Sequence, residues 1–245
     1  EMRLGLWKME YGLFDNIDIH TFLAPWLFSG ANAGIKWEYK WDKTSSISVR
    51  AHSLKLDLSQ FDSEESEEKP AASEDDPASE VAFWILPFEI TYSQDVEEDM
   101  VASVGWLYNR VVLSGGTDAG GDVNGAAAIT TGQITGTLQL KHSDTFATII
   151  HARLVAYQDL SARGSIIRTE QVPPDITVEI AGAADSQSDA AQVDRGFSIV
   201  ASGHHSWSST NIRYGLGYGN WSLPVVNMVA PDKSAIFEFD LFWRF

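Results

Sequence analysis

The sequence predicts an all-β fold: a transmembrane, antiparallel, up-and-down β-barrel of about twelve strands, with ten as the next choice. Three observations predict it. Apolar and polar residues alternate with a period of two over many short segments. Short turns alternate with long connections along the chain, a habit of membrane barrels. Trp and Tyr gather near the segment ends, where an apolar ring with a polar tip suits a membrane interface.

The C-terminal segment alternates most cleanly. Phe237, Phe239, Leu241, Trp243 and Phe245 share one face, while Glu238, Asp240 and Arg244 share the other with Ile236 and Phe242. A soluble β-sandwich would turn the polar face to water and the apolar face to a core. A barrel turns the apolar face to lipid and the polar face to the lumen. Ile35, Trp37, Tyr39 and Trp41 alternate with Lys36, Glu38, Lys40 and Asp42. Ile134, Leu138 and Leu140 alternate with polar neighbours, as do Phe146, Ile150 and Leu154, and Ile212, Tyr214, Leu216 and Tyr218. In Ser46–Leu58 the pattern changes phase near His52–Leu54, as a β-bulge would make it do. Short turns fall at 14–16, 42–45, 95–98, 143–145 and 207–209, and long connections at 59–80, 114–128 and 158–195. The segments counted this way (2–13, 17–25, 32–42, 46–58, 81–94, 99–113, 129–142, 145–157, 196–206, 210–221 and 235–245) number eleven. Single-chain bacterial barrels have even counts, so a missing strand, a lumenal N-terminus or a mis-split segment is expected.

Composition narrows the function classes. The chain has 245 residues, 34 acidic against 17 basic, for a formal charge of −17. That balance argues against nucleic-acid binding. No cysteine is present, which removes thiolate metal sites, disulfides and cysteine nucleophiles. No apolar run approaches the ~20 residues of a spanning helix. The first residue is Glu1, without a leader-like segment, as expected of a processed product.

The alternating strand that ends on Phe245 resembles the C-terminal signal of bacterial outer-membrane β-barrel proteins, carried here by Phe237, Phe239, Leu241, Trp243 and Phe245. The stretches Tyr11–Ile19 and Leu23–Phe28 are similar to poorly characterised barrels of predatory and related Gram-negative bacteria. The resemblance implies a bacterial outer-membrane location. It also implies three partners: the barrel-assembly machinery during insertion, outer-membrane lipids and lipopolysaccharide. Residues 1–245 are then one barrel domain, and residues 59–80 an acidic, mobile extracellular loop. Residues 57–80 hold ten acids and one Lys. Cation bridging to lipopolysaccharide phosphates is one use for such a loop, and a solvated spacer is the plainer one.

Ten residues are expected to line the lumen: Lys36, Glu38, Lys40, Arg50, His151, Arg153, Arg213, Glu238, Asp240 and Arg244. Both signs are present, so paired networks that largely plug the lumen are expected, since buried charges need compensation. A thin polar channel is the alternative. Two loop stretches are unusually apolar: Pro25, Trp26, Leu27 and Phe28, and Pro224, Val225, Val226 and Met228. Exposed apolar stretches mark partner surfaces, so these eight are the candidates for homo-oligomer or lipid contact.

No cofactor and no metal site is expected, and no enzyme. Gly203-His204-His205-Ser206-Trp207 is the stretch closest to chemistry, and outer-membrane lipid-modifying enzymes use Ser and His. Strand neighbours point to opposite faces, however, so His205 and Ser206 do not meet. The expected function is a non-enzymatic, structural, self-oligomerising and lipid-contacting barrel. A narrow passive diffusion pore and a lipid-modifying enzyme are the alternatives.

Overall fold

A computed structural model describes residues 1–27, 30–57, 81–117, 122–172, 176–187, 196–220 and 233–245. Among them, thirteen strands and one short helix follow in chain order. They are β1 (Met2–Gly5), β2 (Lys8–Phe14), β3 (Ile17–Phe22), α1 (Leu23–Leu27), β4 (Ala31–Lys40), β5 (Ser45–Asp57), β6 (Val81–Glu97) and β7 (Met100–Thr117). Then come β8 (Asp122–Ser143), β9 (Phe146–Val172), β10 (Ile176–Gln187), β11 (Phe197–Trp207), β12 (Thr210–Gly219) and β13 (Ser234–Arg244).

Twelve of these strands close a ring by antiparallel pairing. Each is bonded to its sequence neighbour, except that β11 docks on β9, and β13 meets β1 through Arg3↔Arg244 and Gly5↔Phe242. Closure leaves the ring without an exposed edge over its paired length, as a bilayer requires. The thirteenth strand, β10, pairs only with residues 161–172 of β9, beyond the ring.

The parity problem is resolved at the N-terminus. The first segment, 2–13, is a hairpin that turns at Leu6 and Trp7, with Met2 opposite Tyr11 and Leu4 opposite Met9. Two further expectations fail. Residues 158–195 are not one long connection: β9 runs on to Val172 and pairs with β10. Residues 114–128 are mostly strand, because β7 and β8 extend to Thr117 and from Asp122. The acidic stretch 59–80 lies outside the described residues.

Side chains sort as the pleat dictates. Phe237 and Phe239 are 74% and 56% exposed, whereas Ile236 and Phe242 are 8% and 3%. Carried round the ladder, the exposed face gathers Ile35, Trp37, Tyr39, Trp106, Ile134, Leu154, Ile199, Tyr214 and Leu216, an apolar outer belt. Aromatics close its turn end. His205 stacks between Phe146 (4.6 Å) and Trp207 (5.1 Å), and its Nε2 lies 3.2 Å from the Tyr214 hydroxyl.

The phase change in β5 is not a bulge. Ala51 pairs with Phe88 and Leu54 with Ile85, three residues on in both strands. Pro87, which lacks an N–H, sits inside that interval. The strand keeps its register, so Leu54 and Leu56 stay on the inner face with Arg50. What changes is the surroundings of the two faces towards the loop end.

Two of the short turns are bonded by their own side chains. Asp42 Oδ1 accepts from Thr44 N (2.8 Å), Ser45 N (2.6 Å) and Thr44 Oγ1 (3.1 Å). These bonds, the Thr44 backbone N–H foremost, hold the Asp42 carboxyl below its usual 3.8. At the β8–β9 turn the Lys141 ammonium, 2.9 Å from Asp144, lowers the Asp144 carboxyl. A carboxyl depressed by folding stabilises the protein above its unfolded pKa and loses that contribution as pH falls through the folded value. Asp42→Ala should therefore lower the urea midpoint at pH 7. The gap to the parent should close as pH drops below 3.8. Urea titrations of the refolded barrel at several pH values measure this, and a gap independent of pH would contradict it.

Candidate functional site

The inner face of the ring is a continuous surface that carries charged side chains. Ladder registers place Lys36, Glu38, Lys40, Arg50, His151, Arg153, Arg213, Glu238, Asp240 and Arg244 on the face opposite the apolar belt. Several are brought together. Arg213 reaches Glu238 at 3.1 Å, and Ser202 Oγ donates to the same carboxylate at 2.9 Å. Arg3 bonds Asp240 at 2.8 Å and stands 3.7 Å over the Phe242 ring. Arg50 meets Glu89 at 3.1 Å. Lys36 and Lys40 flank Glu38 at 3.0 and 3.7 Å, and Lys8 bonds Glu10 at 3.0 Å. His151 shares a 2.9 Å hydrogen bond with Thr137. Arg153 is buried and donates to the Asn220 carbonyl.

These pairs have a direction. Among the described residues, every inner-face ion pair joins two residues of one strand or of two hydrogen-bonded strands. The charges therefore neutralise one another along the wall. Next to the β4–β5 turn the wall encloses a cavity of about 450 Å³, lined by Lys36, Glu38, Arg50, Glu89 and many Ser and Thr hydroxyls. Towards the loop end, Ile85, Val111 and Ile129 are buried and pair in a row across the inner face of β6, β7 and β8, beside buried Asn109, Thr131 and Gln133. The inner wall is thus polar at the turn end and carries an apolar patch on β6, β7 and β8 towards the other.

A feature that the sequence did not suggest lies on β3, β4 and β5. His20 and His52 stack at 5.1 Å with rings 11° apart, and Phe22 packs edge-on against both. Both histidines are buried, and none of their four ring nitrogens finds a protein partner. The strand between them supplies Gly34, where a Cβ would fall 2.3 Å from His20 and 2.5 Å from His52. The one signal was positional: two histidines and a glycine at matching inner-face registers.

The other candidates are placed as follows. Pro25 is buried in α1 and Trp26 is 57% exposed, its indole N–H donating to Thr21 Oγ1 at 2.8 Å. Leu27 ends α1. Phe28, Pro224, Val225, Val226 and Met228 lie outside the described residues. His204 and Ser206 are on the inner face and His205 on the outer. His204 bonds Asn211, His205 bonds Tyr214, His151 bonds Thr137 and His142 bonds Thr148, so none of these partners is a serine. Among the described residues no group of three or more His, Asp or Glu is arranged to hold a metal ion.

No protein-family model and no curated protein matches the chain. Among solved structures it is similar to the translocator domain of autotransporter NalP from Neisseria meningitidis, at 8% identity and TM-score 0.38, covering 100% of this chain and 85% of that one. It is also similar to the Pseudomonas putida toluene transporter TodX, at 9% identity and TM-score 0.34 over 98% and 76% of the two chains. LpxR from Salmonella typhimurium gives 8% identity and TM-score 0.30 over 87% and 88%. Superpositions this loose leave the architecture resting on the hydrogen-bond ladder itself. That ladder defines a closed, membrane-spanning barrel of the bacterial outer-membrane type.

Gly34→Leu should push the two histidines apart and cost about 1–3 kcal/mol, the range for overpacking a filled site. Urea unfolding followed by Trp fluorescence measures it, and an unchanged midpoint would mean that the stack is not tightly held.

Proposed function

We propose that this chain is a non-enzymatic outer-membrane barrel whose lumen is a narrow polar passage for small solutes. The observation that carries the reading is the direction of the inner ion pairs. Pairing along the wall compensates the charges without bridging the lumen, whereas a plug built from side chains needs bonds across it. The hydroxyl-rich cavity at the turn end favours the same reading, because Ser and Thr hydrate a surface without adding charge. The apolar patch of Ile85, Val111 and Ile129 then leaves that part of the wall poorly hydrated and so disfavours ions there.

Single-channel recording in planar bilayers tests this. The parent protein should conduct weakly. Glu238→Gln, which removes a negative wall charge, should lower the cation-to-anion permeability ratio, and Arg50→Gln should raise it. Val111→Asn in this patch should raise conductance several-fold. A parent protein that never conducts under any of these conditions sinks the proposal.

A second reading keeps a structural role, with self-association and contact to lipid and lipopolysaccharide. The observation that favours it is Trp26, exposed on a short helix at the end of β3. Native mass spectrometry in mild detergent, with lipid retained, should then give a defined multimer that Trp26→Ala reduces to single barrels. A single barrel in the parent protein removes this reading and leaves the passage.

A further inference from the structure

Near the short turns, the pleat sets hydroxyls side by side on the inner wall. Two neighbouring rows can be followed by ladder register from β4 to β9. The lower row runs Lys40, Ser46, Ser93, Ser103, Thr137 and His151. The upper row runs Glu38, Ser48, Thr91, Gly105, Thr135 and Arg153. Between the ionisable residues on β4 and those on β9, both rows consist of Ser, Thr and one Gly. At that glycine a Cβ would fall 2.7 Å from Thr135 Oγ1 and 2.9 Å from Thr91 Oγ1. Gly105 thus leaves out the side chain that would crowd those two hydroxyls.

Strands lie ~4.8 Å apart and same-face residues ~7 Å apart along each strand, so the hydroxyls form a grid. Ser46, Ser48, Thr91, Ser93, Ser103 and Thr137 of this grid line the 450 Å³ cavity. The rest of the lining is charged but balanced. Four cations and four carboxylates line it, so the wall favours neither sign. Arg50 is held by Glu89 at 3.1 Å and Lys36 by Glu38 at 3.0 Å. Among the described residues of the lining, Val101 alone is apolar.

This lining selects by chemistry. An ion meets charges that are already paired along the wall. An apolar solute meets almost no apolar surface and would strip water from hydroxyls without replacing it. A solute with several hydroxyls does replace it, because a hydroxyl both donates and accepts on either side of the contact. Each such exchange of water for wall changes the free energy little. The solute is therefore held weakly at several points, which suits a passage that its occupant must also leave. The cavity lies within the usual size range of small-molecule sites.

We infer that the turn-end cavity is a low-affinity subsite for neutral polyhydroxylated solutes, a polyol or a monosaccharide, whose hydroxyls take the place of water on the Ser and Thr rows of β5–β8. This rests on the passage reading and names the class of solute that the passage takes.

Swelling of vesicles that carry the full chain tests it, with erythritol and glycine betaine as probes. The two are close in size and carry no net charge, but glycine betaine has no hydroxyl. Erythritol should enter about fivefold faster or more, the sum of several small exchanges. Ser48→Ala with Thr91→Val takes two hydroxyls from the cavity and keeps every charge. It should bring the ratio of the two rates below about twofold, while potassium chloride conductance stays close to that of the parent. Folding is checked by heat-modifiable gel mobility, and Ser46→Ala with Ser93→Ala serves if the first pair does not fold. A parent that conducts salt but admits both probes equally, or favours glycine betaine, overturns the subsite and leaves the passage. A preference for erythritol that survives the loss of these hydroxyls does the same. A parent that neither conducts nor admits either probe overturns both.

Discussion

Every backbone N–H and C=O that enters the hydrocarbon must be bonded or wetted, because lipid offers neither donor nor acceptor. The rest of this molecule depends on that constraint. It forces β13 back onto β1 and so makes a ring of twelve strands. The ring gives each strand one face to lipid and one to the interior, and the pleat sorts the sequence between them. The aromatic belt, the charged inner wall and the short turns are consequences of that sorting.

Inside the ring the dominant force changes from lipid exclusion to electrostatics. The inner face gathers Arg, Lys, Glu and Asp side by side, with most of these side chains partly removed from water. Nearest-neighbour pairing along the wall answers this, because residues on adjacent strands are already within ~5 Å of one another. Arg213 with Glu238, Arg50 with Glu89 and Arg3 with Asp240 are such pairs. His20 and His52 are the exception. They are packed through ring faces against Phe22, with nitrogens unmatched, and hold their place by shape against Gly34.

Much of the fold was legible because lipid imposes a strict rule on alternation. The period-two pattern of Phe237 to Phe245 located the last strand and its faces correctly. The pattern misled where that rule lapses. In β5 the apolar residues cross from the outer to the inner face towards the loop end, so an unbroken strand read as bulged. Residues 158–195 carry Ala, Gly, Ser and Asp with little alternation, so the extended β9–β10 pair read as a loop. The hairpin 2–13 read as one strand because a turn at Leu6-Trp7 lacks the Gly, Pro or Asn that marks most turns. The charged wall residues could be nominated one by one from alternation. Which of them pair, and the meeting of His20 with His52 across Gly34, depends on register between strands far apart in sequence.

The unequal length of the strands has a consequence outside the bilayer. β9 has 27 residues, and its last twelve are paired with β10 beyond the ring. At ~3.4 Å per residue the paired arm is roughly 40 Å long, comparable to the membrane below it. Such an arm carries paired backbone well past the end of β11, where the ring itself stops. It is also a handle: an epitope or fluorophore carried there stands clear of the lipid headgroups, and leaves the barrel wall untouched.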